Sequence, residues 1–194
     1  MREEELVERI RGRDEDAFAL LVDTYHEPMV RLALTFVPNR SVAEEVVQDT
    51  WVAIIRGIAQ FEGRSSLKTW MFRILANRAR SAGVRERRQV AVPAIGTDDA
   101  GRFSADGAWS TPPAPWDEAV IDRLFASSMS KAVRIAIDDL PTAQRQVVTL
   151  RDLEGLSARD VCAVLDIGEG NQRVLLHRAR QQLRRALELE IGAR

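Results

Sequence analysis

The side chains of this chain that could do chemistry are cations and amides gathered in two places. Residues 62 to 88 hold eight Lys or Arg against two Glu, a local charge of +6 in a chain whose whole balance is −1. Lys68, Arg73, Asn77, Arg78 and Arg80 lead that block. Cations so concentrated fit a phosphate backbone, while Asn can pair bidentately with adenine and Arg with guanine. Residues 168 to 194 hold six Arg against three Glu, a charge of +3, and include Asn171, Gln172, Arg173, His177 and Arg178. Either block alone reads plainly as a solvated helix face. Two of them, separated by a stretch of −5 over residues 89 to 122, favour two nucleic-acid contacts joined by a segment that avoids DNA.

Just ahead of the first cationic helix lies the loop Phe61-Glu62-Gly63-Arg64-Ser65-Ser66. Opening a duplex without nucleotide hydrolysis requires that extruded bases be bound better than paired ones. A short polar loop, with a glycine for close backbone approach and cations beside it, suits that task. Trp70 can stack on such a base or pack in the core, and the sequence favours neither.

These groups must be held by helices. Ser41 followed by Glu44 reads as a capping pair. Behind it Val47, Trp51, Ile54, Ile55 and Ile58 recur at helical steps, so Glu44, Glu45, Gln48 and Asp49 are expected on other faces. Ser65-Ser66 caps a second helix with Leu67, Met71, Ile74 and Leu75 as its apolar stripe. Upstream, residues 2 to 11 form a charged helix and Gly12 to Asp14 its stop and the next cap. Ala17, Phe18, Leu21, Val22 and Tyr25 form an apolar face, with Tyr25 and His26 at its edge. Pro28 is expected to open a new helix that ends at Pro38-Asn39.

From Gln89 to Trp116 the helical period gives way to Gly, Pro, Ser, Ala and Asp, the composition of a linker. A second helical unit is expected from Asp117, with Leu124, Phe125, Met129, Val133, Ile135, Ala136 and Leu140 as apolar positions. Pro141-Thr142 starts another helix, which Gly155 ends with the help of Glu154. Ser157 and Asp160 cap a third, and after Asp166-Ile167-Gly168 a basic helix runs to about Leu189. A short helix, a tight turn and a longer basic helix make a helix-turn-helix. Leu176, Ala179, Leu183 and Leu187 form its apolar stripe, leaving Arg178, Arg180, Arg184 and Arg185 to project outward.

A chain of 194 residues with 45% hydrophobic and 29% charged side chains has room for one or two compact helical domains. One cysteine, Cys162, leaves no intramolecular disulfide, and on an apolar face it reads as a small core residue. His26 and His177 stand far apart, and no Cys or His cluster has metal-ligand spacing, so neither metal nor cofactor is expected. No apolar run approaches the roughly twenty residues that span a bilayer. The N-terminus is too charged for a signal peptide, and the expected location is the cytoplasm.

The runs AEEVVQDTW, FEGRSSLKTW and ILANRARS, in that order and spacing, resemble region 2 of bacterial sigma factors of the extracytoplasmic-function (ECF) type. LPTAQRQVVTLRDLEGLSARDVCAVLDIGEGNQRVLLHRARQQLRRAL resembles region 4 of the same family. The resemblance implies an all-α chain of two small helical domains, region 2 over residues 1–88 and region 4 over 117–194, joined by an acidic linker at 89–116. It implies core RNA polymerase as a partner, met at its β′ clamp helices by the face carrying Glu44, Glu45, Gln48 and Asp49, and at its β flap by region 4. The capture of a flipped base of the minus-ten promoter element falls, by resemblance, to Phe61, Gly63, Arg64, Ser65, Ser66 and Leu67. Lys68, Trp70, Arg73, Asn77, Arg78 and Arg80 would hold adjoining DNA. Asn171, Gln172, Arg173, His177 and Arg178 would face the minus-thirty-five element.

An anti-sigma partner and a linker path toward the polymerase active site are also implied, with Asp98, Asp99 and Asp106 lining that path and Phe103, Trp109 and Trp116 anchoring it. One departure bears on base reading. Asn171 to Leu175 replaces a usual apolar anchor with Gln172 and usual polar positions with Val174 and Leu175. A stand-alone helix-turn-helix activator, binding duplex DNA without polymerase, is the rival reading. An enzyme acting on nucleic acid ranks last, for want of a metal cluster or nucleophile-base pair.

Overall fold

The computed structural model describes residues 2–89 and 131–192, and every regular element among them is a helix. The linker beyond Gln89 and the apolar positions Leu124, Phe125 and Met129 lie outside the described residues. The first half comprises α1 (Glu3–Arg11), α2 (Glu15–Ala33), α3 (Arg40–Gly57), a 3-10 turn at Ile58–Gln60, and α4 (Leu67–Gln89). The second comprises α5 (Lys131–Asp138), α6 (Thr142–Val148), a π-helical turn at Thr149–Leu153, α7 (Ala158–Leu165) and α8 (Glu169–Gly192).

Side-chain caps settle where several helices begin. Asp14 accepts from the Ala17 N–H at 3.0 Å, Ser66 from Thr69 at 3.1 Å, and Ser157 from Asp160 at 3.1 Å, as the sequence leads one to expect. The expected cap at Ser41 is displaced. Asn39, in extended backbone, accepts from Val42 at 3.0 Å and starts α3 two residues earlier, while Glu44 turns to Arg40 at 2.7 Å. Pro28 does not open a helix either. It sits inside a continuous α2, because its missing N–H removes a single bond to the preceding turn while Leu21, Met29, Val30, Leu32 and Ala33 bury on either side.

These helices pack α2 on α3 and both on α4, around Leu21, Met29, Leu32, Val47, Ile54, Met71, Phe72 and Leu75. Phe18 meets Trp51 edge-on at 5.8 Å, and Tyr25 meets Phe72 at 6.5 Å. Two residues expected on apolar stripes face outward: Ile55 and Ile135, each about half exposed. Ala43, Val46 and Thr50 take the inner side of α3 instead. The two halves are not separate cores. Val147, Leu150, Leu156, Val161, Val164 and Leu165 of the second half join the cluster built on α2 to α4, and α7 lies along α4.

Candidate nucleic-acid interface

The acidic and basic faces diverge on neighbouring helices. Glu44, Glu45, Gln48 and Asp49 are exposed on α3, continued by the exposed Val52 and Ile55, while Val46, Val47, Thr50, Trp51 and Ile54 face the core. Arg73, Asn77, Arg78 and Arg80 are exposed on α4, with Asn77 Oδ1 accepting from Arg80 Nη1 at 3.2 Å. Met71, Phe72, Leu75, Ala76 and Ala79 bury the opposite side of α4 and set that register.

The loop between α3 and α4 is anchored at its base and open at its tip. Phe61 is 8% exposed and packs on Trp70 with ring centroids 5.2 Å apart; Leu67 is 2% exposed. These two therefore hold the loop in place; Glu62 and Arg64 are exposed at its tip, Ser65 is half-buried, and the Ser66 hydroxyl is engaged with Thr69 as the α4 cap. Gly63 has φ +70, and a methyl group at its Cβ position would meet nothing within 4 Å, so its demand is for backbone conformation and open space lies around it. Arg64 pairs with Glu62 at 2.7 Å on the exposed arch. Trp70 is half-buried against Phe61 and Gly57, which answers the packing alternative for most of its ring.

In the second half α7, a turn and α8 form the helix-turn-helix. The turn depends on Asp166 in the left-handed region, φ +59, with Ile167 donating back to the Cys162 carbonyl at 3.2 Å. Asn171 and Arg173 are exposed at the start of α8, and Arg173 reaches Glu169 at 3.7 Å. His177 and Arg178 are half-buried. Gln172 is 1% exposed, so it cannot face a base here; it stands four and seven residues before Leu176 and Ala179, on the same inner stripe. The glutamine occupies the apolar anchor's place.

Arg180 also departs from the expected outward pattern. Its guanidinium grips the buried Asp152 carboxylate at 2.6 and 3.0 Å, tying α8 to the π-helical turn. Cys162 is partly exposed and outside the core, unlike the expected small core residue; burial pushes its thiol up, with Glu169 adding in the same direction. Among the described residues no group of His, Cys, Asp and Glu could hold a metal ion.

Sequence reasoning missed Glu154, which it read as part of a helix stop. Its side chain is 4% exposed and meets Arg31 at 2.8 Å and Lys68 at 3.4 Å, both from the first half. Lys68 Nζ also donates to the Glu154 carbonyl, and sits 5.6 Å from the Phe72 ring centre. Arg80 Nη2 donates to the Leu165 carbonyl at 3.0 Å, and Gln146 to that of Thr35 at 3.5 Å. Two cations expected on DNA are thus engaged by the second half.

The sigma-70 region 2 family model matches residues 21–89 and the sigma-70 region 4 model residues 130–183. The RNA polymerase sigma-H factor of Pseudomonas aeruginosa is 31% identical over 186 residues, 96% of this chain and 94% of that protein. The chain belongs to the ECF sigma factors. The ECF RNA polymerase sigma-E factor of Escherichia coli K12 is 30% identical over 178 residues, 92% of this chain and 90% of that one. Among solved structures, CnrH in complex with the cytosolic domain of CnrY superposes with TM-score 0.60 at 20% identity, covering 96% of this chain and 97% of that one. The sigma factor RpoE of Bartonella quintana, in complex with the anti-sigma factor NepR, gives TM-score 0.62 at 23% identity over 88% and 96%. At those identities the likeness is one of fold. This sigma factor directs transcription initiation, with α2 to α4 in its region 2 and α5 to α8 in its region 4. No helix among its described residues is long and apolar enough to cross a membrane.

Proposed function

We propose that Glu45, Gln48 and Asp49 of α3 dock on the β′ clamp helices of core RNA polymerase, and that region 4 meets the β flap. The loop from Phe61 to Leu67 captures a flipped minus-ten base, while Lys68, Arg73, Asn77, Arg78 and Arg80 hold the adjoining strand. Asn171, Arg173, His177 and Arg178 address the minus-thirty-five duplex, and Gln172 seats their helix from beneath. The observation that carries this reading is the divergence of an exposed acidic face on α3 and an exposed basic face on α4, both fixed by one buried core. A clamp and a DNA strand can then be held at once without competing for a surface. The polymerase forms the bonds; this subunit supplies recognition and strand capture, acting in the cytoplasm. An anti-sigma protein is a further proposed partner, supported by the complexes in which the two structural neighbours were solved.

Run-off transcription with purified core enzyme and a promoter library tests the whole reading. Specific initiation above core alone is expected, and its absence would reject it. Arg173→Glu is expected to cut upstream protection and transcription about tenfold or more, since a phosphate or base contact becomes a repulsion. Core affinity should be unchanged. An unaltered upstream footprint would remove the α8 assignment.

A further inference from the structure

Helix α1 lies outside the region 2 match, which begins at residue 21, yet it holds both ends of the loop that precedes α4. Arg11 Nε donates to the Ile58 carbonyl at 3.2 Å, and its Nη2 donates to the Phe61 carbonyl. At the other end Glu3 Oε1 accepts from the Leu67 N–H at 2.9 Å, one of the free donors of the α4 N-terminus. Glu8 aligns the arginine through Nη1 at 2.6 Å, and Val7 and Ile10 bury α1 beneath the contact. Between these ties, residues 62–64 have no core contact of their own and are exposed.

We propose that Arg11 and Glu3 are positioning residues for minus-ten strand capture: they fix the loop's two ends so that its open tip is preformed for an extruded base. This rests on the capture reading of the loop. Capture offsets duplex melting more fully when the loop is ordered beforehand, because ordering it on binding would consume part of the same free energy. A guanidinium bound to two carbonyls is well suited, since its donors form a rigid fork.

The test uses reconstituted polymerase with the full chain and a promoter recovered from the library, as duplex and as a premelted bubble spanning the minus-ten element. Arg11→Ala and Glu3→Ala should each lower duplex run-off about tenfold, the bubble should restore it to within about twofold, and core affinity should hold. Arg11→Lys should recover part of the loss. Wild-type duplex activity in both alanine variants would overturn the proposal; so would equal losses on duplex and bubble, which would mark a folding role. Arg64→Ala with Ser65→Ala separates the premises: if this loop variant melts duplex normally, the capture reading itself fails.

Discussion

Replacing Glu45 and Asp49 together by Arg is expected to abolish binding to core polymerase while leaving helicity and melting temperature within experimental scatter. Both carboxylates are exposed, and neither takes part in an ion pair within the described residues. Their loss therefore costs the fold little, surface charges being worth about 0 to 1 kcal/mol. At an interface the same change turns two attractions into two repulsions, and like charges brought together cost several kcal/mol. A loss of at least about a hundredfold in affinity follows, measured by pull-down or titration of labelled chain into core enzyme. Glu44 offers the internal contrast. It is held by Arg40, which also binds Glu27 at 2.8 Å, and Glu27 is drawn below the usual carboxylate range by that hydrogen bond. Glu44→Arg should disturb this network and weaken docking less than the double change. Wild-type affinity in the double variant would remove the α3 face from the interface.

What could be read in advance was what depends on near neighbours. Asp14, Ser66 and Ser157 cap helices because each reaches a backbone donor three residues on, a relation contained in the local sequence. The choice of Asn39 over Ser41 was not so contained: both residues are competent caps, and the outcome turns on which start lets Ala43, Val46 and Val47 reach the core. Gln172 was legible in principle. Its spacing from Leu176, Ala179 and Leu183 places it on the buried stripe, but a polar side chain at a family's base-reading helix drew the opposite assignment. Glu154 and Arg180 were not legible. A long charged side chain declares nothing about its partner, and theirs stand up to 123 residues away in the chain. The same holds for the brace from α1, whose Arg11 and Glu3 look like ordinary solvated charges until the loop is laid beside them.

The backbone of α4 carries a constraint that composition would lead one to misjudge. Ala is preferred to Gly inside a helix by about 1 kcal/mol, so Gly83→Ala would ordinarily stabilise a helix running from Leu67 to Gln89. Here the added methyl would stand 2.4 Å from the Phe36 carbonyl oxygen, well inside contact distance. That oxygen belongs to backbone at the end of α2, and no side chain can swing aside to relieve it. Either α4 or the turn at residues 34–37 must shift, and forced shifts of packed backbone cost typically about 1 to 3 kcal/mol, occasionally more. Steric overlap therefore outweighs propensity, and Gly83→Ala is expected to lower stability by about 2 kcal/mol in urea unfolding. Because α4 also presents Arg73, Asn77, Arg78 and Arg80, duplex transcription should fall with it. Gly170→Ala provides the opposite sign from the same chemistry. Nothing lies within 4 Å of its methyl position in the first turn of α8, so that change should leave stability equal or raise it by about 0.5 kcal/mol. Equal effects at the two glycines would mean that the close approach of α4 to the α2 terminus does not exist in solution.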